Sequence, residues 1–197
     1  YMRQDRRFRD GEAVTSAVFA GALSRWIDWL VTVDPHLHRR KSLAEIYSVT
    51  ARVIHAGPLI ANWIGANVAD PVLVGPDGES EQWVADVAGR AGAPFTILEK
   101  IRRADRDVTV SLPDPGIVRG RTPVLVDDIV STARTMIETV GHLKALGLPA
   151  PVCIGIHGIF AGDAYDALVE AGAGEIVTTN TIAAPPARID VYGSIAD

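Results

Sequence analysis

The stretch VLVDDIVSTARTM, Val124 to Met136, decides how this chain is read. Its apolar opening reads as a buried strand that delivers two adjacent carboxylates, Asp127 and Asp128, to its C-terminal end. A hydroxyl-rich turn with Ser131, Thr132 and Thr135 then opens a helix expected from about Thr132 to Ala145. In open α/β sheets ligands bind at that end of the strands. Helix N-terminal amides and the helix dipole favour an anion, and the hydroxyls add donors, so the turn suits a phosphate. Two carboxylates beside a phosphate need another partner, either ribose hydroxyls or a Mg²⁺ ion shared with substrate phosphates. Sugar, phosphate and magnesium together satisfy the stretch. The plainer alternative is that Ser131 or Thr132 caps the helix and the acids are solvated.

Outward from this stretch, strand and helix patterns alternate. Glu12 to Ser24 has small and apolar residues at helical spacing and feeds the strand WLVTVD. Residues 48–54 look extended, GPLIANWIGANV helical, and PVLVGPDG is a strand ending in a turn. SEQWVADVAGRAG reads as a helix, followed by the strands PFTILEK, DVTVSL and TPVLVDD. Beyond the central helix come the strand VCIGIHGIF, a helix over Ala164, Ala167, Leu168 and Ala171, the strand EIVTT and a last strand near IDVYG. Short apolar strands separated by helices predict an α/β fold, with parallel sheets flanked by helices.

The 197 residues allow one large domain or two modest ones, and 48% hydrophobic with 22% charged residues is a folded composition. The longest uncharged stretch, Ala145 to Gly162, contains Pro149, Pro151 and four glycines, which suits strand and turn rather than a membrane span. No membrane partner and no export signal are expected. The only cysteine, Cys153, excludes an internal disulfide and a Cys-based zinc site, and fits a cytoplasmic location.

A net charge of −5 argues against a nucleic-acid partner. Residues 1–55 hold nine Lys and Arg against six Asp and Glu, whereas residues 56–197 hold ten against eighteen. A boundary is therefore expected near His55-Ala56-Gly57-Pro58. Cations gather at Arg3, Arg6, Arg7 and Arg9, at Arg39, Arg40 and Lys41, and at Lys100, Arg102, Arg103 and Arg106. These bunches read either as a polyphosphate site or as solvated surface.

The strand, acidic pair and hydroxyl-rich turn resemble the phosphoribosyl pyrophosphate (PRPP) motif shared by type I phosphoribosyltransferases and PRPP synthetases, the ribose-phosphate diphosphokinases. Other segments choose between the two. YMRQDRRF, Tyr1 to Phe8, is similar to the synthetases' nucleotide-binding segment, and VTVDPHLH, Val31 to His38, resembles their strand ending in Asp-x-His. GPDG, Gly75 to Gly78, and EKIRR, Glu99 to Arg103, follow in the family's order, a set that phosphoribosyltransferases lack.

The resemblance implies that Arg3 and Gln4 contact ATP and that His36 lies at the metal and triphosphate. It implies Asp77 near the ribose and metal, and Lys100 and Arg102 on a mobile loop over the transferring group. Asp127 and Asp128 would hold the ribose hydroxyls, while Ser131, Thr132, Ala133, Arg134 and Thr135 would hold the 5-phosphate. The implied reaction moves a pyrophosphoryl group from ATP to ribose 5-phosphate with Mg²⁺, in a homo-oligomer. Residues 1–55 would be the C-terminal part of an incomplete N-terminal α/β domain, and residues 56–197 a phosphoribosyltransferase-like domain, within a longer protein.

Two positions depart from the family pattern. Arg134 stands where a glycine is expected, and GPDGES lacks the small-residue pair after Pro-Asp. His36 and His38 form a His-x-His pair, but no Cys or third His is near enough in sequence to suggest zinc. The RRK run after them reads as plain surface, and Trp26, Trp29, Trp63 and Trp83 as core or interface aromatics. Two other functions compete: a type I phosphoribosyltransferase that consumes PRPP, and a non-catalytic synthetase-like regulatory subunit.

Overall fold

A computed structural model describes residues 4–37, 39–104, 107–111, 114 and 116–196, with the backbone alone described at 79, 100–104 and 107–111. The chain divides into two compact units, Tyr1–His55 with Ser194–Asp197, and Ala56–Gly193.

In the first unit, helix α1 (Thr15–Leu23) precedes the parallel strands β1 (Trp29–Val33) and β2 (Thr50–Ile54), which pair from Trp29↔Thr50 to Val33↔Ile54. Ala20 of α1, Leu43 and Tyr47 form a small buried core, with Leu23, Leu30, Leu37 and Ile46 packed on it. Trp26 and Trp29 are 85% and 66% exposed, so neither belongs to that core.

The second unit contains α2 (Gly57–Asn67), β3 (Pro71–Gly75), α3 (Glu81–Ala91), β4 (Phe95–Ile97), the hairpin strands β5 (Glu99–Ala104) and β6 (Asp107–Ser111), and β7 (Thr122–Val130). It continues with α4 (Arg134–Ala145), β8 (Val152–Gly158), α5 (Ala164–Ala171), β9 (Glu175–Thr179), β10 (Ala187–Ile189) and the start of α6 (Tyr192–Ala196). Six strands form one sheet in the order β10-β9-β8-β7-β3-β4, parallel throughout.

Strands covered on both faces become continuous apolar runs. Hence Val72, Leu73 and Val74 of β3 are all fully buried, as is Val124 of β7. One layer of the core joins Val72, Val74, Leu125 and Cys153 to Met136, Val140 and Leu143 of α4 and Leu168 of α5. In α4 the buried residues are Met136, Thr139, Val140 and Leu143, the 3–4 spacing that puts one helical stripe on a sheet. Among the described residues, no helix is long and apolar enough to cross a membrane.

Three local expectations are corrected. PFTILEK is not a single strand, because the chain leaves the parallel sheet after β4 and forms β5 in a separate two-stranded sheet, antiparallel to β6. The last strand ends at Ile189 rather than running through Tyr192. There the Asp190 carboxylate accepts bonds from Asn180 Nδ2 at 2.6 Å and from the Tyr192 N–H at 2.9 Å, which turns the chain into α6. Helix α4 begins at Arg134, after a left-handed Ala133, rather than at Thr132.

Candidate functional site

The sheet order reverses direction between β3 and β7: from β3 the chain moves outward to β4, then returns to β7 on the other side of β3. Crossovers in parallel sheets are right-handed, so helices either side of this reversal lie on opposite faces and leave a crevice at the strands' C-terminal ends. Both acidic segments open there. Strand β3 ends at Gly75, and Asp77 follows in a tight turn in which the Ser80 hydroxyl donates to the Asp77 carbonyl at 2.6 Å. Within β7, Asp127 and Asp128 are half-buried. Asp127 Oδ1 accepts the Asp128 N–H at 2.9 Å, and Asp128 Oδ1 accepts the Ile129 N–H at 2.8 Å. These bonds orient both carboxylates against their own backbone.

After Val130 the chain passes through Ser131, Thr132 and Ala133 into α4. Ala133 has φ 54° and ψ 10°, the left-handed region that a β-carbon disfavours. Strained backbone of this kind persists where the surroundings enforce it, often at ligand clamps. The Ala133 carbonyl accepts the Ile137 N–H at 2.8 Å, and no side chain caps the helix. The first amides of a helix have no intrahelical partner, so this uncapped start presents donors and a positive dipole end. Thr132, Arg134 and Thr135 are exposed around it, and Ser131 is half-buried. Arg134 holds the first helical position and is absent from the residues with positive φ. The missing glycine therefore imposes no backbone strain at Arg134; the left-handed position falls on Ala133.

A brace for this turn was not legible in the sequence. The N–H groups of Ile159 and Phe160 both donate to the Val130 carbonyl at 3.0 Å, and the Ala161 N–H donates to the Ser131 carbonyl at 2.9 Å. The segment after β8 thus fixes the path of the turn after β7. No spacing in HGIFAG announces this, because the bonds are made by backbone groups.

In the first unit, His36 is half-buried two residues beyond Asp34, which itself sits at φ 33°. The Asp34 N–H donates to the Ile54 carbonyl at 2.9 Å, and its Oδ1 lies 2.9 Å from His55 Nδ1, so the start of the histidine loop is tied to the end of β2. Gln4 Oε1 accepts the Thr15 N–H at 2.6 Å, and Gln4 Nε2 donates to the Ala13 carbonyl at 3.0 Å. Arg3 and His38 lie outside the described residues. The backbones of Lys100 and Arg102 lie in β5 opposite Val110 and Val108, in an antiparallel strand pair. Arg39 and Arg40 each have a polar partner: Arg39 Nη1 is 2.9 Å from Asp5 Oδ1, and Arg40 Nη2 is 3.0 Å from Ser16 Oγ.

Among the described residues, no group of three or more His, Cys, Asp or Glu side chains is arranged to hold a metal ion. The hard oxygens of Asp77, Asp127 and Asp128 suit Mg²⁺ of the kind that takes one or two carboxylates and completes its shell with water and substrate phosphates.

The phosphoribosyl transferase domain matches residues 42–187. The ribose-phosphate pyrophosphokinase of Methanothermobacter thermautotrophicus is 32% identical over the whole chain, which covers 68% of that relative. The chain belongs to the ribose-phosphate pyrophosphokinase family. A Sulfurisphaera tokodaii member is 30% identical over 97% of the chain. The chain spans 65% of that pyrophosphokinase's length. Phosphoribosylpyrophosphate synthetase from Mycobacterium smegmatis shares the fold over the whole chain and 65% of its own, with a TM-score of 0.78 at 24% identity.

Proposed function

We propose that this pyrophosphokinase family member transfers the terminal pyrophosphoryl group of ATP to the anomeric hydroxyl of ribose 5-phosphate, giving PRPP and AMP. The observation that carries the reading is the reversal of strand order between β3 and β7, beside which an acidic pair precedes an uncapped, hydroxyl-flanked helix start. The α4 amides with Ser131, Thr132, Ala133, Arg134 and Thr135 hold the 5-phosphate, and Asp127 and Asp128 accept hydrogen bonds from the ribose hydroxyls.

In the transfer, the anomeric oxygen forms a bond to the β-phosphorus of ATP, the bond from that phosphorus to the α-bridging oxygen breaks, and the hydroxyl proton is released. Such transfer depends on alignment and charge neutralisation more than on a strong nucleophile. Lys100 and Arg102 supply cations to the moving group, and Arg3 and Gln4 bind the nucleotide. His36 and Asp77 are the metal-side groups that the family resemblance implies. Mg²⁺, when bound, neutralises charge on the phosphate oxygens. The reading includes a cytoplasmic homo-oligomer; the single buried thiol at Cys153 is in keeping with a reducing compartment.

The test incubates the full-length protein with ATP, ribose 5-phosphate and Mg²⁺. The reading predicts AMP and PRPP in equal amounts. ADP as the product, no turnover, or pyrophosphate release from PRPP with a nucleobase in place of ATP would reject it.

A further inference from the structure

Within the first unit, two dipeptides 35 positions apart meet across the start of α1. The Gln4 carbonyl accepts the Ser16 N–H at 3.2 Å, and Ser16, fully buried, accepts from Arg40 through its hydroxyl at 3.0 Å. Asp5 pairs with Arg39 at 2.9 Å, with the carboxylate side chain only 6% exposed and the arginine 46% exposed. Asp5 Oδ2 is buried without a hydrogen-bond partner, and among the described residues Arg39 is the cation paired with this carboxylate. The carboxylate is shielded while the arginine stays about half open to solvent, so the pair ties the two segments together as a partly exposed ion pair. Arg39 lies three residues after His36, and Asp5 directly follows Gln4.

We propose that Arg39 and Arg40 are positioning residues that, through Asp5 and Ser16, hold the nucleotide-side segment beginning at Gln4 in register with the loop that carries His36. This rests on the assignment of Gln4 and His36 to ATP in the proposed function. Neither arginine touches substrate in this role. They set where the nucleotide-side groups stand, so their loss moves ATP affinity and leaves the pentose cradle of the second unit as it is.

The experiment measures, by calorimetry on the full-length protein, the dissociation constants of a non-hydrolysable ATP analogue with Mg²⁺ and of ribose 5-phosphate. It compares wild type with Arg39→Gln, Asp5→Asn and the double variant. Each single change is expected to weaken the analogue by at least about fivefold, with ribose 5-phosphate unaffected and the double variant no weaker than the worse single. Arg39→Lys, which keeps the charge, is expected to restore most of the affinity. Unchanged analogue affinity, equal loss for both ligands, additive losses, or a folded Arg39→Lys as weak as Arg39→Gln would each overturn the proposal. If wild type bound ribose 5-phosphate but no analogue, the pyrophosphokinase reading would fall together with it.

Discussion

Asp127 and Asp128 tie their carboxylates to their own backbone, and the same pair is proposed to hold the ribose hydroxyls. Each gives one carboxylate oxygen to the next N–H. An asparagine keeps that acceptor while losing the charge. Asp127→Asn with Asp128→Asn should therefore leave the unfolding transition intact and reduce ribose 5-phosphate affinity by roughly a hundredfold, the range expected when a ligand loses two charge-assisted hydrogen bonds. Calorimetry beside urea unfolding checks this, and retained affinity would remove the sugar-holding role. Cys153 is a contrasting case. Burial pushes its thiol up to about 12, so almost no thiolate exists near neutral pH, and the thiolate is the reactive form. Native protein at pH 8 should resist iodoacetamide, whereas protein unfolded in urea should be alkylated. Residue identity made the acidic pair and the lone cysteine visible in advance. The left-handed Ala133 was not, because alanine carries no signal for that conformation.

At the scale of elements, the buried strands were readable because PVLVG, VLV and VCIGI are apolar on successive residues, as full burial requires. The break between β4 and β5 was not, because no glycine or proline separates Ile97 from Glu99; only pairing with β6 sets it. Close packing of β8 on its neighbours is also a tertiary fact. A β-carbon on Gly155 would lie 2.6 Å from Val130 Cγ2, and one on Gly158 would lie 2.6 Å from Thr178 Cγ2. Gly155→Ala should thus cost about 1–3 kcal/mol in urea unfolding, the usual penalty for overpacking. A neutral outcome would mean that Val130 repacks freely. On the hairpin, Lys100→Ala should lower kcat well over tenfold with little change in KM for ATP, since a cation aimed at developing charge acts in the transition state. Steady-state kinetics separate the two, and equal effects on both would contradict the assignment.

For the whole molecule, the six-stranded parallel sheet matters because its order creates one reversal, and the reversal brings residues far apart in sequence to a common edge. Asp77 closes the strand before it and Asp127 lies on the strand after it. The sequence motifs single these residues out separately; the strand order puts the strands that carry them side by side. The backbone brace from Ile159, Phe160 and Ala161 fixes the turn proposed to take the 5-phosphate, and it exists only once β8 is docked on β7. A crystal structure of the full-length protein with ribose 5-phosphate tests this arrangement most directly. The phosphate should sit within hydrogen-bonding distance, about 2.7–3.2 Å, of amides in the Thr132–Met136 segment, with ribose hydroxyls on Asp127 and Asp128. A saturated crystal with the sugar elsewhere and that helix start bare would contradict the account.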